Sequence, residues 1–447
     1  MKTHNELSRA IPVWGEYDVI VCGGGATGFI ASIAASRAGA RTLLIERYGI
    51  FGGTATAALM IELGSMHDGE KRIVGGISHE FVHRLEQYGG AYFQNAVNHS
   101  MVYDPESMID VCRQMVVESG VEILYHTWIA DAIVRDGRVE GVIVENKSGR
   151  GAFYGRVIID CTGDGDVAAR AGADFSVGRD GDGKVQPVTL VVTVGGIDST
   201  RFNYHHHDLI PAIREGRASG DWPIPTDQMF SCKRLKKCGA PDNPRDSFYF
   251  INATNMLDCN GTDARSLTDA ELITRAQVEP MLKFLRTRAP GFENCWLDRT
   301  GVQVGIRETR RILCDATLTR DDVLQARHFD DGVVNACNSI DVHDVSGKAF
   351  KHEYLKKGRY YQIPYGCFLP KQLEGLLVAG RCLSADHAAL GSARVMVVCM
   401  PMGEAVGTAA AMAAAEVITP RSIDRRKLIA ALDIIPKTKS ANETMTN

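Results

Sequence analysis

The sequence predicts an α/β fold with a parallel sheet at its centre. Three observations carry that prediction. An apolar run, residues 17–22, ends in a glycine cluster. Helical spacing of Ala and Ile follows over residues 29–38 and stops at Gly39. A second apolar run, residues 41–46, completes a unit of about 30 residues, the length a parallel crossover needs.

The glycine cluster reads G-x-G-x-x-G at Gly23, Gly25 and Gly28. The first glycine makes a tight turn, the second admits a pyrophosphate close to the backbone, and the third lets helix and strand pack. The following helix offers free N–H groups and a positive dipole end to phosphates. Glu46 closes the second strand, where a carboxylate accepts ribose hydroxyls. Its charge disfavours a 2′-phosphate, leaving NAD or FAD ahead of NADP. Ala26 and Thr27 in the turn, and Arg47 beside Glu46, join the expected contacts.

Further along, Asp104, Pro105 and Gly120 bracket a helix over 104–118. Residues 121–159 read as a meander of strands with Asp136-Gly137 as a hairpin turn, and Ala130 within it is assigned to the cofactor site. An apolar strand leads into Thr162-Gly163-Asp164-Gly165-Asp166; alone, such a cluster could equally be a solvated acidic turn. Residues 186–196 and 248–255 read as strands. A helix is expected from Thr268, where Thr268 and Glu271 match a capping box, to just before Pro290. Residues 301–312 alternate as a strand with one polar face.

The chain has 447 residues, enough for two or three domains. A net charge of −4 gives no reason to expect nucleic acid or an anionic membrane as partner. The 12 cysteines include no C-x-x-C pair, so no metal cluster or redox disulfide is expected, and reduced thiols in a cytoplasm are the simplest reading. The first 16 residues lack the apolar run of a signal peptide. Residues 400–418 are the most apolar stretch, but Pro401, Glu404 and many Ala and Gly point to a buried helix rather than a membrane span.

Three more segments sharpen the picture: Gly52-Gly53-Thr54 shortly after Glu46, the 162–166 turn, and residues 376–411, a strand ending in Gly380-Arg381 before an Ala- and Gly-rich helix. With the glycine turn, these resemble FAD-dependent oxidoreductases that have a glutathione-reductase-type flavin fold. More narrowly, they resemble the bacterial FAD-dependent oxidoreductase family, distantly similar to fumarate reductase and succinate dehydrogenase flavoproteins. The likeness runs over residues 17–418. It implies that Gly52, Gly53 and Thr54 lie along the flavin, that Thr162, Gly163, Asp164 and Gly165 return to the cofactor, and that Gly380, Arg381, Met402 and Gly403 belong to its closing motif. A helix N-terminus there would stabilise reduced flavin. The Gly-Gly loop carries no histidine for a covalent link, so the FAD is expected to be non-covalent. No second nucleotide-binding unit and no C-x4-C pair are found.

On the substrate side, Arg307, Arg310 and Arg311 form a dense cationic group. They can hold an anion or form a structural network with Glu308. The segment resembles the family's G-I-R-E-x-R-R signature. In residues 339–344, also family-like, His343 is the candidate base. Tyr365 is a candidate hydrogen-bond donor to substrate or flavin. Arg394 lies where the fumarate reductase relatives place a substrate-carboxylate arginine, and His387 stands nearby. The triplet His205-His206-His207 cannot turn three side chains to one face, so no metal site is expected.

The expected organisation is a discontinuous FAD-binding domain, 17–175 and 365–447, with an α+β substrate domain inserted at 176–364. The expected activity is oxidation of a small polar metabolite (hydroxy acid, sugar or polyol) by hydride transfer to FAD, with an unidentified electron acceptor and room for a homo-oligomer. Two rivals stand beside it: an ene-reductase of unsaturated carboxylates using Arg394 and Arg307, and a flavoprotein hydratase or isomerase without net redox.

Overall fold

Strand β1 (Val13–Cys22) and strand β2 (Thr42–Ile45) pair in parallel, Val19 opposite Thr42 and Cys22 opposite Ile45. Helix α1 (Ala26–Arg37) makes the crossover. This computed structural model describes residues 3–4, 8–93, 100–202, 206–227, 229–345 and 350–432. His205 lies outside them, so the histidine triplet is only partly described. α1 starts three residues earlier than the Ala and Ile spacing suggests, because the last glycine of the turn is already helical. It ends before Gly39, whose φ of +92° a residue with a side chain would resist.

Among the described residues the main sheet has seven strands. The long strand Gly149–Asp160 is its hub. It runs parallel to β1 and to Leu376–Val378, and antiparallel to Arg138–Asn146, which pairs in turn with Trp128–Arg135. Asp136 and Gly137 both have positive φ, 49° and 76°, as a two-residue type I′ hairpin requires. The sheet is therefore a mixed α/β sheet with a parallel centre, assembled from both ends of the sequence.

The closing helix, Met396–Glu416, lies against α1. By length and composition it could cross a membrane, yet most of it is buried inside the protein. Side chains at Gly403 and Gly407 would sit 2.2 Å from Thr27 O and 2.3 Å from Ala31 O. The two backbones approach that closely only because small residues face each other.

A second core gathers residues from Val188 to Val304. It fills the space between an antiparallel sheet, ordered Ser231–Leu235, Ser247–Asn252, Val192–Ile197, Trp296–Thr300, and helices that include Ala264–Ala276 and Val278–Arg288. Strands Gly332–Ala336 and Tyr361–Pro364 bury their apolar side chains in the first core instead.

Three local expectations need correction. The helix expected at Thr268 starts at Ala264, because Asp263 caps it by accepting the Ser266 N–H at 2.8 Å. The first strand of the region is shorter than 186–196 and begins at Val192; before it, the Leu190 N–H turns to the Thr254 hydroxyl. Of 301–312 only Arg310–Ile312 is a strand, paired with Phe175–Val177. Upstream, backbone N–H groups find scattered acceptors, Val302 on Ala57 O and Val304 on the Glu271 carboxylate, and Val302 is 67% exposed. The alternation there reflects no continuous pairing.

Candidate functional site

The glycine turn and the cationic segment open onto one cavity of about 1040 Å³. Sites for one small molecule span roughly 300–1,000 Å³, so this volume has room for a dinucleotide with a substrate beside it.

Gly23, Gly25, Ala26 and Thr27 line one wall, and Gly52, Gly53 and Thr54 line another. The Gly52 N–H donates to Gly24 O at 2.9 Å, holding the two loops together. Gly25 is the N-cap of α1 and gives it no side-chain cap. The first N–H groups of the helix and its positive dipole end are therefore left for an anionic ligand. A Cβ added to Gly25 would meet nothing nearer than Gly53 Cα at 4.0 Å, so the space over the turn is open. The buried Glu46 carboxylate accepts the Gly24 N–H at 2.6 Å and the Tyr48 N–H at 2.9 Å. Burial pushes this carboxyl up, and the two N–H groups work against that. Arg47 donates to Gln303 at 2.9 Å and lies 5.3 Å over the Trp128 ring, beside the same wall.

Asp160 shapes the 162–166 turn. Its fully buried carboxylate accepts from Thr162 N–H, the Thr162 hydroxyl and Ala168 N–H at 3.0, 2.7 and 2.9 Å. The turn is thus a built support and not a solvated loop. Thr162, Gly163 and Asp166 reach the cavity. Asp164 is held instead by Thr309 and Arg381, at 2.7 and 2.8 Å. Arg381, itself on the cavity wall, also donates to the Thr309 hydroxyl at 2.9 Å, joining three distant parts of the sequence.

Several residues expected at the site stand behind it. A side chain on Gly28 would lie 1.8 Å from Gly23 O, so this glycine permits the turn to close. Gly380 serves a similar close approach to the Thr27 hydroxyl. Met402 and Gly403 lie on the closing helix beyond its cavity-lining residues, with Gly403 packed on α1. Gly165, at φ +64°, precedes helix Asp166–Arg170, and the Ala130 carbonyl accepts from Arg170 at 3.0 Å while its neighbour Ile129 faces the cavity. Tyr365 is corrected outright: its ring is fully buried in the core and its hydroxyl donates to Pro420 O at 3.0 Å. The short helical turn after Pro364 points it away from the cavity. Tyr365→Phe is expected to leave turnover unchanged and to cost roughly 1 kcal/mol of stability, read by denaturant melts.

At the other end, Arg307, His343 and Arg394 share the wall. Arg307 is 7% exposed and, among the described residues, donates to neutral acceptors, Pro187 O and Thr189 Oγ1 at 2.7 and 2.8 Å and Asn252 Oδ1 at 3.3 Å. Among the described residues no carboxylate lies within ion-pair distance of it. Burial, aided by the Arg394 charge, pushes its guanidinium down to about 9. Arg394 lies 3.7 Å from Asp341 and shares Gln186 Oε1 with the His343 backbone N–H. His343 Nε2 is 3.5 Å from Asp341 Oδ1, and the Phe230 ring packs edge-on at 4.3 Å. Burial and the Arg307 charge push His343 down to about 3, so it is neutral near pH 7. Burial pushes the Asp341 carboxyl up, but His343, Arg394 and His352 outweigh it and hold it below the usual carboxylate range.

Arg310 and Arg311 do not join this group. Arg311 pairs with the buried Glu308, which also meets His387 at 2.9 Å, and Arg310 meets Asp166 at 3.0 Å. They form the structural network that the sequence left open. Asp341 was legible as a partner in principle, since D-x-H on a strand places both side chains on one face. Phe230, Gln186 and His352 arrive from separate elements, and no local signal marks them. Among the described residues no cluster of three metal-binding side chains occurs.

A βαβ glycine turn, an uncapped helix N-terminus and an acid just after β2, opening on one large cavity, have the form of a dinucleotide-binding enzyme site. The chain belongs to the FAD dependent oxidoreductase family, whose model matches residues 18–432. It is therefore an enzyme of that class, and FAD is its cofactor. A 46-residue segment is 44% identical to dihydrolipoyl dehydrogenase of Trypanosoma brucei brucei, covering 10% of each chain. Among solved structures, the OxyS anhydrotetracycline hydroxylase from Streptomyces rimosus is similar at TM-score 0.44 and 14% identity, over 93% of this chain and 64% of that one. The flavin-dependent brominase Bmp2 is similar at TM-score 0.46 and 13% identity, over 93% and 82%.

Proposed function

We propose that this enzyme oxidises a small polar alcohol by hydride transfer to non-covalent FAD. The observation that carries this is a neutral, buried His343 held against Asp341 in the same cavity as the glycine turn. The glycine turn and α1 N-terminus would hold the pyrophosphate, Glu46 the ribose, and the Val395 end of the closing helix the flavin side. When bound, FAD supplies the hydride acceptor. His343 takes the hydroxyl proton as the carbonyl forms, and Asp341 orients its ring and stabilises the imidazolium. Arg307 and Arg394 hold an anionic group of the substrate. That anion also offsets the Arg307 charge, which raises the basicity of His343 when substrate is in place.

The inserted-domain reading, with a glutathione-reductase-type flavin half, is supported by the sheet built from both chain ends and by the separate second core. We place the insertion at about 188–306, shorter than the 176–364 read from sequence. Scattered single thiols remain the basis for a cytoplasmic location.

Anaerobic absorbance titration with hydroxy acids, sugars, polyols and amino acids tests the activity: one class should bleach the yellow protein. If none does, oxidation of this kind is ruled out. The low Arg307 value favours one second reading, proton donation by arginine to an unsaturated carboxylate. Reoxidation of chemically reduced enzyme by such acids would establish it.

His343 stays neutral across pH 5–8 in the free enzyme, so kcat/KM should show no acid limb there. Arg307 loses its proton as pH rises through about 9, so kcat/KM for an anionic substrate should fall about tenfold per unit beyond it. The loss should appear in KM, because bound anion keeps the proton on Arg307. An inflection between pH 6 and 7 in kcat/KM would contradict this assignment.

A further inference from the structure

We infer that the substrate is a polyhydroxylated carboxylic acid, recognised as an acid at Arg307 and Arg394 and by its hydroxyls at Ser231 and Asn338. This deepens the proposed function and rests on its reading of the Arg307–His343 end as the substrate site. Three neutral or cationic side chains of this wall each hold a buried polar atom with no hydrogen bond among the described residues, Ser231 Oγ, Asn338 Oδ1 and Arg394 Nε; one carboxylate oxygen each of Asp68 and Asp341 in the same cavity also lacks one. All three residues line the cavity. Buried polar atoms left unpaired are costly, so a wall that keeps three of them is matched to a ligand that pairs with them.

Their chemistry and placement specify the ligand. Arg394 lies beside Asp341 and His343, and Nε is a charged donor suited to a carboxylate oxygen. Arg307 adds a buried cation whose hydrogen-bond partners among the described residues are neutral. One anionic group therefore satisfies both. Asn338 Oδ1 accepts only, and Ser231 Oγ accepts or donates, so their natural partners are hydroxyls. Ser231 follows Phe230, whose ring touches His343 and lies 5.1 Å beneath the Arg307 guanidinium. The Asn338 side chain lies beside Val395, next to Arg394; both would stand 2.8 Å from a side chain on Gly64. Hydroxyl-seeking atoms thus share the cavity wall with the two arginines. A simple fatty acid would leave those atoms unpaired, and an uncharged polyol would leave the Arg307 guanidinium without an anion.

Calorimetric titration of the oxidised, FAD-loaded protein tests this. The probes are D-gluconate, D-galactonate and D-glucuronate, against glucitol and galactitol as uncharged counterparts and hexanoate as the deoxygenated acid. At least one sugar acid should bind about tenfold or more tightly than either counterpart. Ser231→Ala and Asn338→Ala should each weaken that acid several-fold and leave hexanoate unchanged. A polyol or hexanoate binding as tightly as every sugar acid would overturn the inference, as would no binding by any of the three acids. Parallel anaerobic bleaching separates the two claims. A sugar acid that binds without bleaching keeps the ligand class and removes the oxidation. An uncharged alcohol that bleaches while no sugar acid binds keeps the oxidation and removes the class.

Discussion

Gly25→Ala should give a stable, colourless protein. Gly25 has φ −67° and ψ −174°, which alanine adopts freely. Its Cβ would come no nearer to the described residues than 4.0 Å from Gly53 Cα and would occupy the space over the turn, where the pyrophosphate has to meet backbone N–H groups. FAD affinity is expected to fall by at least ~100-fold, with the melting temperature of the apoprotein unchanged. Gly28→Ala should behave differently. Its Cβ would lie 1.8 Å from a backbone carbonyl, which no rotamer can relieve. The turn must move, so both FAD and stability are lost, with a cost of about 1–3 kcal/mol or more. Flavin absorbance and melts of the two apoproteins separate filling the site from breaking its frame. A yellow Gly25→Ala protein of normal affinity would place the cofactor elsewhere.

Substrate-dependent flavin reduction should slow by roughly 10²–10⁴-fold in His343→Gln, in a protein that stays yellow. The glutamine keeps much of the ring's volume against Phe230 but cannot accept the proton at neutral pH. Asp341→Asn should lose roughly 10²-fold, since it keeps the shape and removes the charge that orients and stabilises the ring. Stopped-flow reduction at saturating substrate reads both. For His343→Gln the loss should be smaller at high pH, where a larger share of the alcohol is already ionised. Reduction at the parent rate would assign proton transfer to another group. The variants also report on linkage. A native histidine held down to about 3 binds its proton only in very acid solution, whereas the unfolded chain binds it near 6.5. The parent therefore loses stability as pH falls from about 6.5 towards 3, and His343→Gln should lose less over that window.

The cofactor half was readable because its determinants are local. Gly23, Gly25, Gly28 and Glu46 sit within one crossover unit, and their spacing is dictated by strand, turn and helix geometry alone. The hairpin at Asp136-Gly137 and the start of the helix at Pro105 follow from backbone preferences of two or three residues. Where sequence reasoning slipped, a tertiary partner overrode a local pattern. Asp263 captured the cap that Thr268 and Glu271 seemed to offer. Residues 301–309 alternate like a strand but found no strand to pair with. Tyr365 lay in a segment that resembles the family yet turns into the core.

By itself, then, the sequence determined the α/β class, the nucleotide turn and the need for a late segment to complete it. Only the tertiary structure decided which arginines are free to meet an anion. Arg307, Arg310 and Arg311 are equivalent as letters within five residues. Folding buries Arg311 against Glu308, sets Arg310 on Asp166, and leaves Arg307 among neutral acceptors facing the cavity. The difference is electrostatic: Arg311 meets a carboxylate three residues away, Arg310 meets one more than a hundred residues away, and Arg307 meets none among the described residues. A charge's role is set by its partners, and the packed structure decides which neighbour, local or distant, each arginine meets.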